Sequence, residues 1–218
     1  MRFLLTLLTI SLLLTSTTHA QQRRKREPKN KIGALYSTLM GTKYELTNKT
    51  SGNVNSGKFD DESDPIVGAV FFYERIFSSI FAVGFRATTF LERQMELTVG
   101  TETVNVVEKS TMMAFDFKTY YKEHSARGIK PYFGVGLGTL NVTSDLSVAS
   151  SAATSSTSAT IPITFLTVGT DYKLESAGFR LEIGSTKGER NDLEDNDMFN
   201  AKYEVTGLMV NAGVYLLF

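Results

Sequence analysis

From residue 33 onward the chain alternates apolar and polar positions in short runs, the period-two signature of strands with one greasy face. In 79–97, Phe81, Val83, Phe85 and Ala87 alternate with Ala82, Gly84, Arg86 and Thr88. In 103–123, Met113, Phe115, Phe117 and Tyr121 alternate with Ala114, Asp116, Lys118 and Lys122. Phe133, Val135 and Leu137 alternate with Gly134, Gly136 and Gly138, and Phe179, Leu181 and Ile183 with Arg180, Glu182 and Gly184. The last run puts Leu208, Val210, Ala212, Val214 and Leu216 in register with the terminal Phe218. Read this way, the sequence predicts eight strands, at 33–46, 65–76, 79–97, 103–123, 129–143, 159–174, 178–188 and 203–218.

The connections differ in length. Those at 77–78, 125–128 and 175–178 are short, that near 98–102 is intermediate, and those near 47–64, 144–158 and 189–202 are long. Short turns at one end and longer loops at the other, with an even strand number, predict an all-β fold: an eight-stranded antiparallel up-and-down transmembrane β-barrel. A Lys or Arg on the lipid face at mid-membrane costs about 2–4 kcal/mol, so the charged set must point inward. That parity assigns Lys43, Glu45, Glu74, Arg86, Asp116, Lys118, Lys130, Asp171, Lys173, Arg180 and Glu182 to the lumen. Eight strands leave an interior just wide enough for side chains. The expectation is a salt-bridged polar plug that holds the register, centred on Glu74, Arg86, Asp116, Lys118, Asp171, Arg180 and Glu182, in preference to a gated pore. Gly134, Gly136 and Gly138 are expected to leave room for Tyr132, Phe72 and Phe90.

Composition narrows the classes. There is no cysteine, so neither disulfides nor thiol chemistry enters, and the near-zero net charge argues against bulk nucleic-acid binding. Residues 1–20, with Arg2, an apolar run and Thr18-His19-Ala20, read as a signal peptide. Residues 21–31 (QQRRKREPKNK) read as a basic disordered tail, and 32–218 as the barrel domain. The tail is expected to be a solvated leader, with contact to anionic lipid or peptidoglycan as its rival.

Two motifs carry a resemblance. Lys130-Pro131-Tyr132-Phe133-Gly134-Val135-Gly136-Leu137-Gly138 resembles the fifth strand of OmpA/OmpX-type eight-stranded bacterial outer membrane barrels, and Gly68 to Arg75 (GAVFFYER) is similar to their second strand. The aromatic ending resembles the C-terminal signal that the barrel-assembly machinery reads, which makes Phe218 the candidate assembly residue. The resemblance spans 32–218. It implies a monomer in the outer membrane of a Gram-negative bacterium, surrounded by outer membrane lipid and lipopolysaccharide. It implies a non-enzymatic structural or surface-interaction role, exerted through external loops on an unknown ligand, with no cofactor and no nucleic acid.

Other constellations are weaker. Some small barrels modify lipid A with a His, a Ser and an acid near the outer leaflet. After signal removal this chain keeps only His124, beside Ser125 in a predicted turn at the opposite end, so no catalytic residue is assigned. Asp60, Asp61, Glu62 and Asp64, and Asp192, Glu194, Asp195 and Asp197, could offer oxygen ligands, but they lack EF-hand spacing and read as solvated loops, so no metal is assigned. Arg93 and Lys109 are expected to face outward together, just beyond the outer leaflet, and to share a lipid A phosphate. Ser147 to Thr160 (SVASSAATSSTSAT) reads as a structureless external loop. Two rival functions remain: a narrow channel for small solutes, and a soluble lipocalin-like barrel. The second conflicts with the absence of Trp and with the inward charges.

Overall fold

A computed structural model describes residues 29–48, 55–61, 65–99, 102–121, 127–148, 154–195 and 199–218. Among the described residues every regular element is a strand, and every pairing is antiparallel. The ladder segments make eight strands because three strands are each broken in two. These are β1 (Asn30–Leu39, then Thr42–Asn48), β2 (Asn55–Asp61, then Ile66–Ile76) and β3 (Phe81–Phe90, then Arg93–Val99). The others are continuous: β4 (Glu102–Tyr120), β5 (Gly128–Val148), β6 (Thr154–Lys173), β7 (Ala177–Asp195) and β8 (Phe199–Leu217). Each strand pairs with its sequence neighbour, and β8 closes on β1, with Leu216 opposite Ile32 and Met209 opposite Leu39. Strands rich in Val, Ile, Thr, Tyr and Phe suit this pleated wall.

The expected strand number and antiparallel closure are present, but the strands run further than the alternation suggested. Ser144–Val148 and Thr154–Ser158 belong to a continuous β5–β6 ladder, so much of the expected structureless loop is paired sheet. Likewise β7 continues to Asp195 and β8 starts at Phe199. The strands therefore rise past the apolar belt as a collar. His124 and Ser125 lie outside the described residues, as do Glu62, Asp64 and Asp197. The barrel also starts earlier than expected, at Asn30.

Around the end that carries both termini and the short turns, the wall is apolar outside. Phe71, Phe115, Leu137, Val168, Val214 and Phe179 all project outward. Phe77, Tyr121, Tyr172 and Phe218 form an aromatic rim at that end, the girdle position of a membrane barrel. Inside, large rings sit over glycines of the next strand. Tyr132 is opposite Gly169, Phe72 opposite Gly33, Phe90 opposite Gly68, Tyr215 opposite Gly178, and Phe165 opposite Gly136. The room for Tyr132, Phe72 and Phe90 thus comes from Gly169, Gly33 and Gly68, not from the glycines of β5; of those, Gly136 accommodates a ring, that of Phe165.

Two breaks change the parity of the wall. At Met40-Gly41 the β1–β8 register shifts by one residue, from Leu39 opposite Met209 to Thr42 opposite Val205. Gly41 has φ +79°, a conformation that costs any residue with a Cβ. Below the break odd residues face inward (Ser37, Leu39); above it even ones do (Thr42, Tyr44). Lys43 is consequently exposed and Glu45 only half-buried on the outer wall, which corrects their assignment to the lumen. At Leu91-Glu92 the β3–β4 register also shifts by one residue, in the opposite sense, from Thr89 opposite Thr111 to Arg93 opposite Glu108.

Candidate functional site: the lumen plug

The seven central residues of the expected plug converge in the half of the barrel nearest the termini. All are at least 95% removed from solvent, with Glu74 and Glu182 at 0% exposure. The lower tier is built on Glu74 and Asp171. Arg180 donates to Asp171 Oδ1 at 2.7 Å through Nε and to Glu74 Oε2 at 3.0 Å through Nη2. Lys118 donates to Glu74 Oε2 at 3.0 Å and lies 3.0 Å from Asp116 Oδ2. The upper tier is built on Arg86, whose guanidinium joins Asp116 and Glu182; Nη1 reaches Glu182 Oε1 at 2.6 Å. Tyr132 and Asn211 each donate to Glu182 at 2.8 Å. The Arg180 guanidinium lies 4.5 Å from the Phe72 ring centroid and that of Arg86 4.9 Å from Phe165. Lys130 and Lys173 are buried too.

One member of the plug escaped the sequence reading. Lys31, assigned to the basic tail, is fully buried; its Nζ donates to Asp171 at 2.7 Å, to Tyr120 at 2.8 Å and to Glu74 at 2.9 Å. The signal was available: Lys31 shares the inward parity of Leu35 and Ser37. With it, four carboxylates (Glu74, Asp116, Asp171, Glu182) meet four cations (Lys31, Arg86, Lys118, Arg180). Each ion has the partner that offsets its desolvation, and the removal of any one strands the others.

Beyond the ions the lumen turns apolar. Leu39, Phe90, Met112, Leu140, Ile161 and Met209 begin a second core that continues upward through Val106, Leu97 and Tyr203. A polar node lies within it. Arg93 Nη2 donates to Glu108 Oε2 at 2.8 Å, Arg93 Nη1 to Thr42 Oγ1 at 2.9 Å, and Tyr203 to Glu108 Oε1 at 2.8 Å. Burial beside Glu108 pushes the Tyr203 phenol, which lies above the apolar belt, well above its ordinary range. Arg93 therefore points into the collar, because the break at Leu91-Glu92 reverses its parity. Lys109 does face outward, 3.4 Å from Glu92. The two do not share a face, which corrects the expectation of a joint phosphate contact. Phe218 stands exposed at the terminal rim, where its N–H donates to the Asn30 carbonyl at 3.1 Å.

Chemically, the arrangement is a buried network in which cations and phenols engage the carboxylates. No helix among the described residues is long and apolar enough to cross a membrane.

No family model matches the sequence, and no curated protein matches it. Solved structures do. The outer membrane protein OprG from Pseudomonas aeruginosa matches with a TM-score of 0.54 at 16% identity, over 88% of this chain and 97% of that one. The outer membrane protease OmpT from Escherichia coli matches with a TM-score of 0.52 at 6% identity, over 91% and 100%. Ail, the attachment invasion locus protein of Yersinia pestis, matches with a TM-score of 0.46 at 12% identity, over 87% and 99%. At such identities the likeness concerns architecture. The chain has the fold of an eight-stranded outer membrane β-barrel.

Proposed function

We propose that the protein is a non-enzymatic, monomeric barrel of a Gram-negative outer membrane, which uses a sealed cylinder to hold a β-collar and its hairpins outside the cell. The reading rests on one observation: the lumen is filled at two levels, by paired ions in the apolar-belted half and by an apolar core above them. A barrel closed twice is suited to display and poorly suited to passage. OmpT has a related fold and is a protease, but its activity is not carried over at 6% identity. In this reading residues 1–20 direct export, the basic residues 21–28 remain a solvated leader, Phe218 serves the assembly machinery, and the hairpins meet a ligand still to be found.

Planar-bilayer recording tests it. The purified full chain should give no steady conductance, and membrane fractionation should recover it in the outer membrane with heat-shifted gel mobility. A steady ohmic conductance in the wild-type chain would favour the narrow-channel alternative.

A further inference from the structure

The outer wall carries a groove of about 370 Å³, set across the seam where β8 closes on β1 and reaching β7 on one side and β2 on the other. The groove opens over Ala34, whose small side chain projects outward between the larger Phe71 and Val214, its ladder partners. Ile32, Leu216 and Phe179 complete its walls. The groove is apolar and lies in the belt, on the half nearest the termini.

A polar corner stands at its margin. Arg75 is exposed on the same outer face of β2, directly opposite Asn30 in the ladder and two pairs from Ile32 opposite Tyr73. Arg75 Nη1 and the Tyr73 hydroxyl both donate to Asn30 Oδ1 at 2.9 Å, which holds the guanidinium at the rim. No carboxylate among the described residues lies within ion-pair distance of Arg75. Lys29 is beside it, its carbonyl accepting from the Ile76 N–H at 2.7 Å. The terminal carboxyl of Phe218 accepts from the Asn30 N–H at 3.0 Å on the same corner, and Arg75 forms no ion pair with it. Hydrocarbon-shaped space next to an exposed guanidinium, at the level where a bilayer turns polar, has the chemistry of an anionic lipid site.

We propose that this groove seats one acyl chain of an anionic phospholipid from the leaflet nearest the chain termini, with its phosphate on Arg75. The inference rests on the membrane reading above and adds to it a fixed lipid and a leaflet. The groove holds the chain across the closing seam, so the lipid bridges the first and last strands to be joined. The positive charge of Arg75 favours a headgroup with net negative charge over a zwitterionic one.

The test is native mass spectrometry of the full chain, released from detergent containing equal phosphatidylglycerol and phosphatidylethanolamine. Wild type should retain phosphatidylglycerol about fivefold over phosphatidylethanolamine, the factor one basic residue near a membrane surface supplies. Arg75→Gln should abolish that preference. Ala34→Phe should fill the groove and lower retention of both lipids. Arg127→Gln, at an exposed pair with Glu175 in the turns of the same end, should change neither. Equal retention in wild type, a preference that survives Arg75→Gln, or undiminished retention in Ala34→Phe overturns the proposal and leaves an ordinary lipid annulus. Arg75→Gln alters one exposed side chain outside the ladder hydrogen bonds, so it decides the matter if Ala34→Phe fails to assemble. Heat-shifted mobility persisting in all variants keeps the membrane reading separate from this result.

Discussion

The two halves of the cylinder have opposite polarity. Near the termini the outside is Phe, Leu and Val, and the inside is Lys, Arg, Glu and Asp. In the collar the inside is Val104, Val106, Leu97, Ile161 and Tyr203, and the outside is Asn105, Lys109, Thr160, Glu189 and Lys202. One continuous set of ladders serves both. The strand geometry therefore carries no preference for what fills it; the surroundings decide. Hydrocarbon outside demands ions inside, and water outside demands the reverse. In β4 the change occurs within a single strand with no change of parity: even residues face inward throughout, as Val104 and Val106 in the collar and Asp116 and Lys118 in the plug.

The sharpest way to break this contrast is to orphan the ions. Glu74→Ala leaves Lys31, Lys118 and Arg180 short of a shared anion, and should cost about 3–5 kcal/mol, read as a lowered urea midpoint in lipid vesicles. In the collar the equivalent damage comes from a void. Ile161→Ala, at 0% exposure, should cost about 3 kcal/mol by the same measurement. A charge on the outer wall separates the halves directly. Val168→Arg in the belt should cost about 2–3 kcal/mol, whereas Asn105→Arg on the collar should cost less than about 0.5 kcal/mol. Equal costs would mean that the belt is not in hydrocarbon. At the junction, Gly41→Ala forces a Cβ into positive φ and to 2.7 Å from the Thr206 carbonyl oxygen, and should cost more than about 1 kcal/mol by the same measurement.

Most of the membrane half was legible in the sequence. The penalty on lipid-facing charge fixes parity there, and Glu74, Arg86, Asp116, Lys118, Asp171, Arg180 and Glu182 all obey it. What was not legible has two causes. Parity arguments run on through a one-residue register shift, so the breaks at Met40-Gly41 and Leu91-Glu92 misplaced Lys43, Glu45 and Arg93. The collar strands also look like loops, because their outward positions are Ser and Thr and their inward ones include residues as small as Ala159. Thr is a good strand former, and that signal was outweighed by the low complexity of the segment. Lys31 was lost to a boundary drawn one residue too late, since a basic stretch reads as solvated until its last member is seen to share the inward face.

The collar has a property the membrane half lacks. No ladder joins Asn55–Asp61 to Arg93–Val99 among the described residues: the first pairs with β1 alone, the second with β4 alone. Below, the wall is a hoop; above, it is a clasp. A clasp can spring without tearing the hoop beneath it. Amide protons along those two edges should be the first to exchange, while those of the closed wall beneath stay protected.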